Sequence, residues 1–285
     1  MIIRLKKAHQ DFSITELCRI FGISQSTFFY QSDVECRAFK AEKIVNDIKN
    51  IAELTGSTYG RRRMNVELNN LGYAIGIFKT AALMKKAKVV ALSPKKQHYY
   101  PNSGEECRYA PNLLKRQFNP ETLNTHWVGD ITYIRTNQGW SYLACVLDLG
   151  SREIVGWAVS QSPDAKLAKE ALDDANKKHR PYLKNLMFHS DQGVQYSANL
   201  FTSHLTQLKI TQSMSRRGNC WDNAVMERFF RSLKSERLNH LIFINHQSLT
   251  HCIEKYIRFY NYKRLHSSND YLTPVQKANK LKKAA

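Results

Sequence analysis

Three acidic residues have the type and spacing that phosphoryl-transfer chemistry requires. Asp191 follows the apolar segment NLMFHS, and Glu227 lies beyond a gap of 35 residues, in a segment with helical spacing. Asp130 lies within WVGDITYIRT, a β-branched segment in which a buried charge is costly unless a cation or a partner compensates it. Mg²⁺ prefers oxygen ligands, and two ions held by carboxylates clamp the attacking and leaving oxygens of a phosphodiester. The three acids therefore form a candidate site for metal-dependent phosphoryl transfer.

Two basic residues accompany the third acid. Arg231 and Lys234 lie four and seven residues after Glu227, which places all three on one face of a predicted helix. Cations on that face would contact the phosphates of bound DNA. Gly193, two residues after Asp191, would let the backbone turn close to the metal ions.

Each polar residue near these motifs also has an ordinary structural interpretation. A single Asp after a strand commonly forms a turn or caps a helix, and a single Glu beside Arg commonly forms a surface ion pair. On these grounds Asp222 is interpreted as an N-cap, Asp148 as a turn residue and His189 as a hydrogen-bonded structural histidine. The catalytic interpretation depends on the three acids being taken together.

The elements that must position these acids form an alternating pattern. Three β-branched or aromatic-rich strands are predicted close together, at 126–135, 140–148 and 154–160, with turns that favour antiparallel hairpins. Helices and strands then alternate: a helix at 164–179, a strand in NLMFHS, a helix at 198–208, a strand at 210–213, and helices at 223–237 and 247–260. This order predicts an α/β fold, a ribonuclease H-like mixed sheet flanked by helices and preceded by all-α helix-turn-helix units.

The first forty residues predict a small helical unit. Ser13 and Glu16 form a capping box ahead of residues at helical spacing, Gly22 breaks the helix, and Ser24 caps a second short helix. This is the geometry of a DNA-binding helix-turn-helix, although an ordinary αα-hairpin has the same pattern. The outward-facing candidates for DNA contact on the second helix are Gln25, Ser26 and Tyr30.

A second helical unit follows, with helices predicted around 41–54, from Arg61, and near 76–87. Arg61 and Arg62 belong to the densest basic run in the chain and are candidate phosphate contacts. Residues 92–125 then lose periodicity and gather proline and lysine, which is typical of a basic linker.

The amino-acid composition limits the kinds of partner that the chain is expected to bind. Lys and Arg outnumber Asp and Glu by 43 to 24, a net charge of +19, and the excess is 9 in residues 1–125, 4 in 126–240 and 6 in 241–285. Basic ends around a nearly balanced middle are typical of a protein that tracks the phosphates of an extended duplex; a basic surface kept for solubility is the alternative. The six cysteines form no CxxC pair, and no apolar run approaches the roughly 20 residues of a membrane span, which indicates a reducing, cytoplasmic setting without a membrane.

The motifs carry a family resemblance. WVGDITYIRT, YLACVLDLGSREIVGWAVS, FHSDQGVQYS, SRRGNCWDNAVMERFFRSLKSE and YIRFYNYKRLHSSNDYLTPVQ resemble, in order and spacing, the transposases of the DDE class. More narrowly, they resemble the second-reading-frame protein of the insertion sequence three family, whose core is shared with retroviral integrases. The resemblance implies catalytic and metal-binding roles for Asp130, Asp191 and Glu227. It also implies cleavage and joining of the element's own ends without a covalent protein–DNA intermediate.

From this resemblance we expect two Mg²⁺ ions, with Mn²⁺ able to substitute, and double-stranded DNA partners, namely the terminal inverted repeats and the target. A homo-oligomer in the synaptic complex and a bacterial, nucleoid-associated location are expected too. Proteins of this family are commonly joined by frameshifting to an upstream-frame product that carries a leucine zipper. This chain begins with Met1 and shows no heptad zipper in its first hundred residues, so both a chain that acts alone and a portion of a fusion are allowed.

The chain is accordingly expected to divide into five parts: a helix-turn-helix at 1–36, a second helical DNA-binding unit at 37–91, a basic linker at 92–125, the catalytic core at 126–240 and a basic C-terminal helical tail at 241–285. The leading interpretation is a DDE transposase. A non-catalytic DNA-binding regulator and a structure-selective nuclease of the same fold are the alternatives. A tyrosine recombinase is disfavoured, because no Arg, His and Arg set surrounds any of the 14 tyrosines.

Overall fold

The computed structural model describes four stretches of the chain: 12–92, 109–180, 183–216 and 219–284. The chain folds as two compact units, Met1–Ala91 and Leu92–Ala285. Residues 1–11 of the predicted first unit and 93–108 of the predicted linker lie outside the described residues.

The described part of the amino-terminal unit is helical. Its helices are α1 (Ile14–Ile20), α2 (Gln25–Leu54), α3 (Arg61–Asn70) and α4 (Ile77–Lys86). The capping box predicted at the start of α1 is confirmed: the Ser13 hydroxyl accepts from the Glu16 amide, and the Glu16 carboxylate accepts from the Ser13 amide over 2.8 Å. Ile48, Met64 and Leu68 are fully buried where α2, α3 and α4 pack together.

Helix α2 differs from the sequence prediction. Two helices were expected here, a short one capped by Ser24 and another around 41–54, whereas the structure has one helix of 30 residues. The sequence between Gln25 and Leu54 contains neither glycine nor proline, so no residue in it favours a break. The helix therefore crosses the expected boundary at 36/37 without interruption.

The second unit is built on one five-stranded sheet. Its strands are β1 (His126–Thr136), β2 (Gly139–Asp148), β3 (Ile154–Ser160), β4 (Met187–Ser190) and β5 (Thr211–Met214). They lie in the order β3-β2-β1-β4-β5; the β1–β2 and β2–β3 pairs are antiparallel, and β4 runs parallel to β1 and β5 to β4. This mixed sheet flanked by helices confirms the predicted fold class.

The helices of this unit cover both faces of the sheet. They are α5 (Ala165–His179), α6 (Val194–Ser197), α7 (Asn199–Gln207), α8 (Ala224–Glu236), α9 (His246–Tyr262) and α10 (Pro274–Ala284). Four single-turn 3₁₀ helices lie between these elements: Leu183–Asn185, Cys220–Asn223, Leu238–His240 and Ser267–Asn269. The sequence predicted α5, α7, α8 and α9 to within two residues and did not predict α6 or α10.

Two hydrophobic cores lie on opposite faces of the sheet. On one face Phe229 of α8 and Ile253 of α9 pack against Val128 and Leu143. On the other face α5 and α7 bury Trp127 together with the aromatic rings that follow β4. Helix α9, which lies within the predicted tail at 241–285, supplies a large part of the first core and is an integral layer of the second unit.

The described part of the predicted linker is also packed. Leu114 is 1% exposed and belongs to the core that contains α8 and α9. The amides of Leu113 and Leu114 donate to the Ser213 hydroxyl over 2.9 and 3.2 Å, and the Asn124 amide donates to Asp148 Oδ1 over 2.8 Å. Residues 109–118, called the strap below, are thus held against the end of β5.

None of the helices in the described ranges combines the length and apolar character needed to cross a membrane.

Candidate active site

Asp130 and Asp191 occupy equivalent levels on neighbouring parallel strands. The last residues through which β1 and β4 pair with each other are Val128 and His189. Asp130 lies two residues after Val128, and Asp191 lies two residues after His189. Because β4 ends at Ser190, β1 continues from Gly129 with no strand of the described chain on that side. The two carboxylates therefore come together at the edge that β4 leaves open, where the carboxyl end of β4 lies beside the middle of β1.

Helix α8 places the third acid over this edge. Its apolar residues recur at helical spacing and are buried: Met226, Phe229, Phe230 and Leu233. This amphipathic pattern anchors the helix in the core and leaves Glu227, in its first turn, exposed on the other side. Before the helix begins, Asn223 donates from Nδ2 to the Gly129 carbonyl over 3.4 Å, which links the start of α8 to β1 beside Asp130.

The pKa shifts of the three acids show that their charges interact. Burial raises the pKa of Asp130 well above its usual range, the Asp191 and Glu227 carboxylates raise it further, and the Ile131 amide and Lys234 oppose the shift. Burial raises the pKa of Asp191. Burial also raises the pKa of Glu227, and the charge of Asp191 raises it further. Like charges gathered in a partly desolvated site are what a bound cation would relieve.

The donor set matches the chemistry of a hard cation. Carboxylate oxygens suit Mg²⁺ and Mn²⁺, whereas a thiolate or imidazole set would favour Zn²⁺. Within the described ranges, however, no three His, Cys, Asp or Glu side chains approach one another closely enough to hold a metal ion as they stand. The charges of the three acids therefore interact, but their carboxylates do not converge on one metal position. Glu227 is the exposed member of the three and has the most freedom to move.

Lys234 lies close enough to Asp130 for their charges to interact, and it has a second contact. Its charge lowers the pKa of Asp130, while burial lowers the pKa of Lys234 itself. Its Nζ atom lies 5.0 Å from the centroid of the Tyr133 ring. Glu236, two residues after Lys234, accepts hydrogen bonds from Arg264. Arg231 is exposed on the same helix.

Two glycines allow close approach at the site. A Cβ atom on Gly129 would lie 2.4 Å from Cζ of the buried Phe188 ring, so a side chain there would displace β4. The Gly193 amide donates to Asp191 Oδ1 over 3.0 Å, and a Cβ atom there would lie 2.9 Å from the same oxygen. Gly193 thus orients the Asp191 carboxylate directly, with an ordinary φ of −59°.

Asp222 is the polar residue whose role the sequence interpretation missed. It is not an N-cap: its side chain is fully buried and accepts from Nε of Arg116 over 2.7 Å, from Nε of Arg216 over 3.0 Å and from Nδ2 of Asn112 over 2.8 Å. The two guanidinium groups hold the pKa of Asp222 far below its usual range. No periodicity distinguishes an ion-pair acceptor from a cap in CWDNA, so the sequence carried no signal for this network.

His189 confirms its structural interpretation. Its Nε2 donates to the Asp222 carbonyl over 3.0 Å, and the Ser213 hydroxyl, which already accepts two strap amides, donates to Nδ1 over 2.8 Å. Burial lowers the pKa of His189 to about 4, so the ring is neutral at pH 7. Asp148 likewise accepts from the Ser151 amide and hydroxyl in the turn after β2, as predicted.

The residues predicted to contact DNA in the amino-terminal unit are distributed over two places. Gln25 donates from Nε2 to the Thr15 hydroxyl of α1, and the Ser26 hydroxyl is hydrogen-bonded to that of Ser24 over 2.8 Å, so both are engaged at the start of α2. Tyr30 is 71% exposed. Arg61 and Arg62 are exposed in the first turn of α3.

Comparison with protein families assigns both units. Residues 120–220 match a family model described as an integrase core domain, and residues 208–274 match a second model of the same description. Residues 40–97 match a model described as an HTH-like domain. The HTH-like match thus falls on the unit built from α3 and α4, after the α1–α2 turn for which the sequence predicted a helix-turn-helix.

Relatives resemble the chain over nearly its whole length. It is 36% identical over 262 residues to the insertion element IS600 uncharacterized 31 kDa protein of Shigella sonnei, which covers 91% of this chain and 96% of that protein. It is 34% identical to the putative transposase InsK for insertion sequence element IS150 of Escherichia coli, covering 96% of each. It is 33% identical to the transposase InsF for insertion sequence IS3A of E. coli, covering 97% of each.

Solved structures resemble the chain more distantly. The catalytic core domain of HTLV-2 integrase in complex with magnesium has a TM-score of 0.44 at 18% identity, covering 55% of this chain and 97% of that one. The catalytic core domain of BIV integrase has a TM-score of 0.42 at 18% identity, covering 56% and 97%. The fold assignment rests on the strand order of the sheet itself.

Proposed function

This chain belongs to the family of insertion-sequence transposases that includes InsF of IS3 and InsK of IS150, and from that premise we propose that Asp130, Asp191 and Glu227 are its catalytic carboxylates. The chain is a DDE-type polynucleotidyl transferase that cleaves DNA and transfers the cut strand. The alternative of a non-catalytic DNA-binding regulator is set aside, because the chain spans nearly the full length of relatives named as transposases.

The relative position of these acids and the interaction of their charges support the assignment of these three over the other acids of the unit. Asp130 and Asp191 stand at matching levels beyond the last paired residues of two parallel strands, and the charges of Asp191 and Glu227 both raise the pKa of Asp130. Other acids of the unit have partners that account for them: Asp222 binds two arginines, and Asp148 closes a turn.

Two divalent ions held by these carboxylates would supply the activation of the attacking hydroxyl and the stabilisation of the leaving oxygen. Mg²⁺ is the proposed physiological ion, with Mn²⁺ able to substitute because it accepts the same oxygen donors. Closure of the site requires the exposed Glu227 side chain to move toward the two aspartates. The Gly193 amide keeps the Asp191 carboxylate oriented, and Asn223 keeps the start of α8 against β1.

The basic residues would hold the DNA. Lys234, whose Nζ atom lies 5.0 Å from the Tyr133 ring centroid and whose charge acts on Asp130, would neutralise a phosphate next to the reacting one, and Arg231 lies one turn earlier on the same helix. The proposed DNA substrates are the terminal inverted repeats of the element and its target. Arg61 and Arg62 in the amino-terminal unit are proposed phosphate contacts at the repeats.

Synapsis of two ends requires at least two copies of the chain, so a homo-oligomer on DNA, at the nucleoid, is part of the proposal. Joining to an upstream-frame product is a further proposed arrangement, and it is tested by comparing the chain alone with the fusion in strand transfer.

Amide substitutions test the three carboxylates. Asp130→Asn, Asp191→Asn and Glu227→Gln keep the shape of each side chain but remove the charge that holds a metal, so each should abolish cleavage of an end-containing duplex and leave the gel shift unchanged. Glu170→Gln is the matched control, because Glu170 lies exposed on α5 in a loose pair with Lys166. Cleavage at the wild-type rate after any one of the three substitutions would remove that residue from the site.

The products separate a transposase from a nuclease of the same fold. With a labelled end and supercoiled target DNA, the wild-type chain should yield joined products in addition to cut ends. Cut ends without joined products, under conditions in which the ends are synapsed, would favour the nuclease.

A further inference from the structure

An exposed aromatic pair lies beside the catalytic edge of the sheet. Tyr133 on β1 is 62% exposed and Trp140 on β2 is 46% exposed, although both are large apolar groups. Their ring centroids lie 5.5 Å apart with an interplanar angle of 79°, an edge-to-face contact between diagonal neighbours of the β1–β2 hairpin. Neither ring contributes to the two cores of the unit.

A cationic side chain also contacts each ring. Lys234 Nζ lies 5.0 Å from the Tyr133 centroid, and the Arg135 guanidinium carbon lies 5.2 Å from the Trp140 centroid. These are the cation and ring contacts of the pair among the described residues. Because both residues remain exposed, part of the aromatic surface of the pair faces solvent, and this part is called the open ring face.

The position of the pair relates it to the reaction. Tyr133 follows Asp130 by three residues on β1, in the part of that strand that β4 leaves unpaired. Lys234 interacts with both the Tyr133 ring and the charge of Asp130, so the cation connects the aromatic pair to the catalytic carboxylates. Because Tyr133 follows Asp130 by an odd number of residues, the two side chains leave β1 on opposite faces, and Lys234 is the contact that relates the rings to the site.

We propose that the Tyr133–Trp140 pair is a stacking platform for an unpaired base of the DNA strand whose phosphate occupies the active site. The base stacks on the open ring face, and Lys234 and Arg135 neutralise the phosphates on either side of it. Aromatic rings flanked by cations are the usual means of binding single-stranded nucleic acid, because every base has a π-face and every nucleotide a phosphate. This inference rests on the transposase function proposed above and adds a binding site for an unpaired nucleotide.

The test uses binding rather than cleavage, so that it stays separate from the catalytic assignment. The full chain carrying Glu227→Gln is titrated with two end duplexes, one blunt and one with its last two nucleotides unpaired. In that background Tyr133→Leu and Trp140→Leu should weaken binding of the unpaired end roughly 5- to 150-fold, the range for loss of one stacked base, with a much smaller effect on the blunt end. Tyr133→Phe should bind as the parent does.

Two controls keep the result interpretable. Tyr262→Leu removes another aromatic side chain of the same unit, 59% exposed on α9, and should change neither affinity. A DNA end with an abasic site in place of the unpaired base should weaken binding to the Glu227→Gln chain by the same factor as Trp140→Leu, and this needs no variant of the rings.

Equal losses for blunt and unpaired ends, or unchanged affinity for the abasic end, would overturn the proposal and leave the pair as a protein-contact or shielding surface. If Asp130→Asn still cleaves DNA, the catalytic assignment fails while the binding result stands, so the two failures are distinguishable.

Discussion

Arg116 donates from Nε to Asp222 Oδ1 over 2.7 Å and joins the strap to the turn that precedes helix α8. The same carboxyl group accepts from Arg216 and Asn112, and the carbonyl of Asp222 accepts from His189 at the end of β4. The network therefore connects the residues before β1, the strand that precedes Asp191 and the turn that leads to Glu227.

This network should contribute strongly to stability. Asp222→Ala removes a fully buried acceptor and leaves several donors without their partner, so we expect the free energy of unfolding to fall by about 3 kcal/mol. Arg116→Met should cost less, because Arg216 still pairs with the carboxylate. Urea denaturation of the variants measures both effects, and Lys115→Met, next to Arg116 but exposed, is the control. Equal stability of Asp222→Ala and wild type would contradict the network's role.

Neutralising Asp130, one of the three proposed catalytic acids, should stabilise the metal-free chain. The pKa of Asp130 is raised in the folded state, so at pH 7.5, above its unfolded value, the ionised carboxylate opposes folding. Asp130→Asn removes that cost and should raise the melting temperature in chelator by about 2–4 °C per kcal/mol recovered. Mg²⁺ should then stabilise wild type more than the variant, because only wild type keeps all three carboxylate ligands. A lower melting temperature of Asp130→Asn in chelator would show that the carboxylate is needed for folding.

Lys234→Ala should weaken DNA binding without changing its sequence preference. If Lys234 contacts one phosphate, its removal lowers affinity similarly for end-containing and random DNA and reduces the slope of log affinity against log salt by roughly one unit. Titrations across a salt series measure the slope. Lys255→Ala, an exposed lysine on α9, is the matched control. An unchanged slope in Lys234→Ala, with normal strand transfer, would restrict the site to the three acids.

Sequence-selective recognition should reside in the amino-terminal unit, which contains helices of a size suited to the DNA groove and the HTH-like match. A fragment of residues 92–285 keeps the strap and both cores, so it should bind DNA weakly and without preference for the element's ends. A fragment starting at Thr125 would lose Leu114 and the strap contacts of Ser213, and it is expected to be less stable. A specific footprint by the 92–285 fragment would contradict the prediction.

Stability should also depend on Glu153 above neutral pH. Burial raises the pKa of Glu153 to about 7, the charge of Asp148 adds to the shift and Lys282 opposes it. For an acid with a raised folded pKa, ionisation disfavours the folded state, so this cost is absent near pH 4 and complete above about pH 7. Glu153→Gln should therefore melt higher than wild type at pH 8 and nearly equally at pH 4. Parallel melts at the two pH values check the difference, with Glu121→Gln, exposed before β1, as the control.

Much of this protein follows from local sequence patterns. The three acids were located by residue type and spacing, because carboxylates after a strand or within an amphipathic helix keep a recognisable local context. The strands β1, β2 and β3 and the helices α5, α8 and α9 were likewise predictable, since periodicity and β-branched content act within a few residues. The resemblance to insertion-sequence transposases followed from the same motifs, and the relatives confirm it.

Tertiary contacts decided the rest. No local rule pairs Arg116 with Asp222 across 106 positions or packs Leu114 and Ile253 into the core that holds α8, so a proline-containing segment was interpreted as a linker and the last 45 residues as a tail. The exposed ring surface of the Tyr133–Trp140 pair depends on tertiary structure in the same way. Helix α8 sets the position of Lys234, and the β1–β2 register makes Tyr133 and Trp140 diagonal neighbours. Burial and ion pairing are set by residues distant in the chain, and their free energies become defined when the fold brings those residues together.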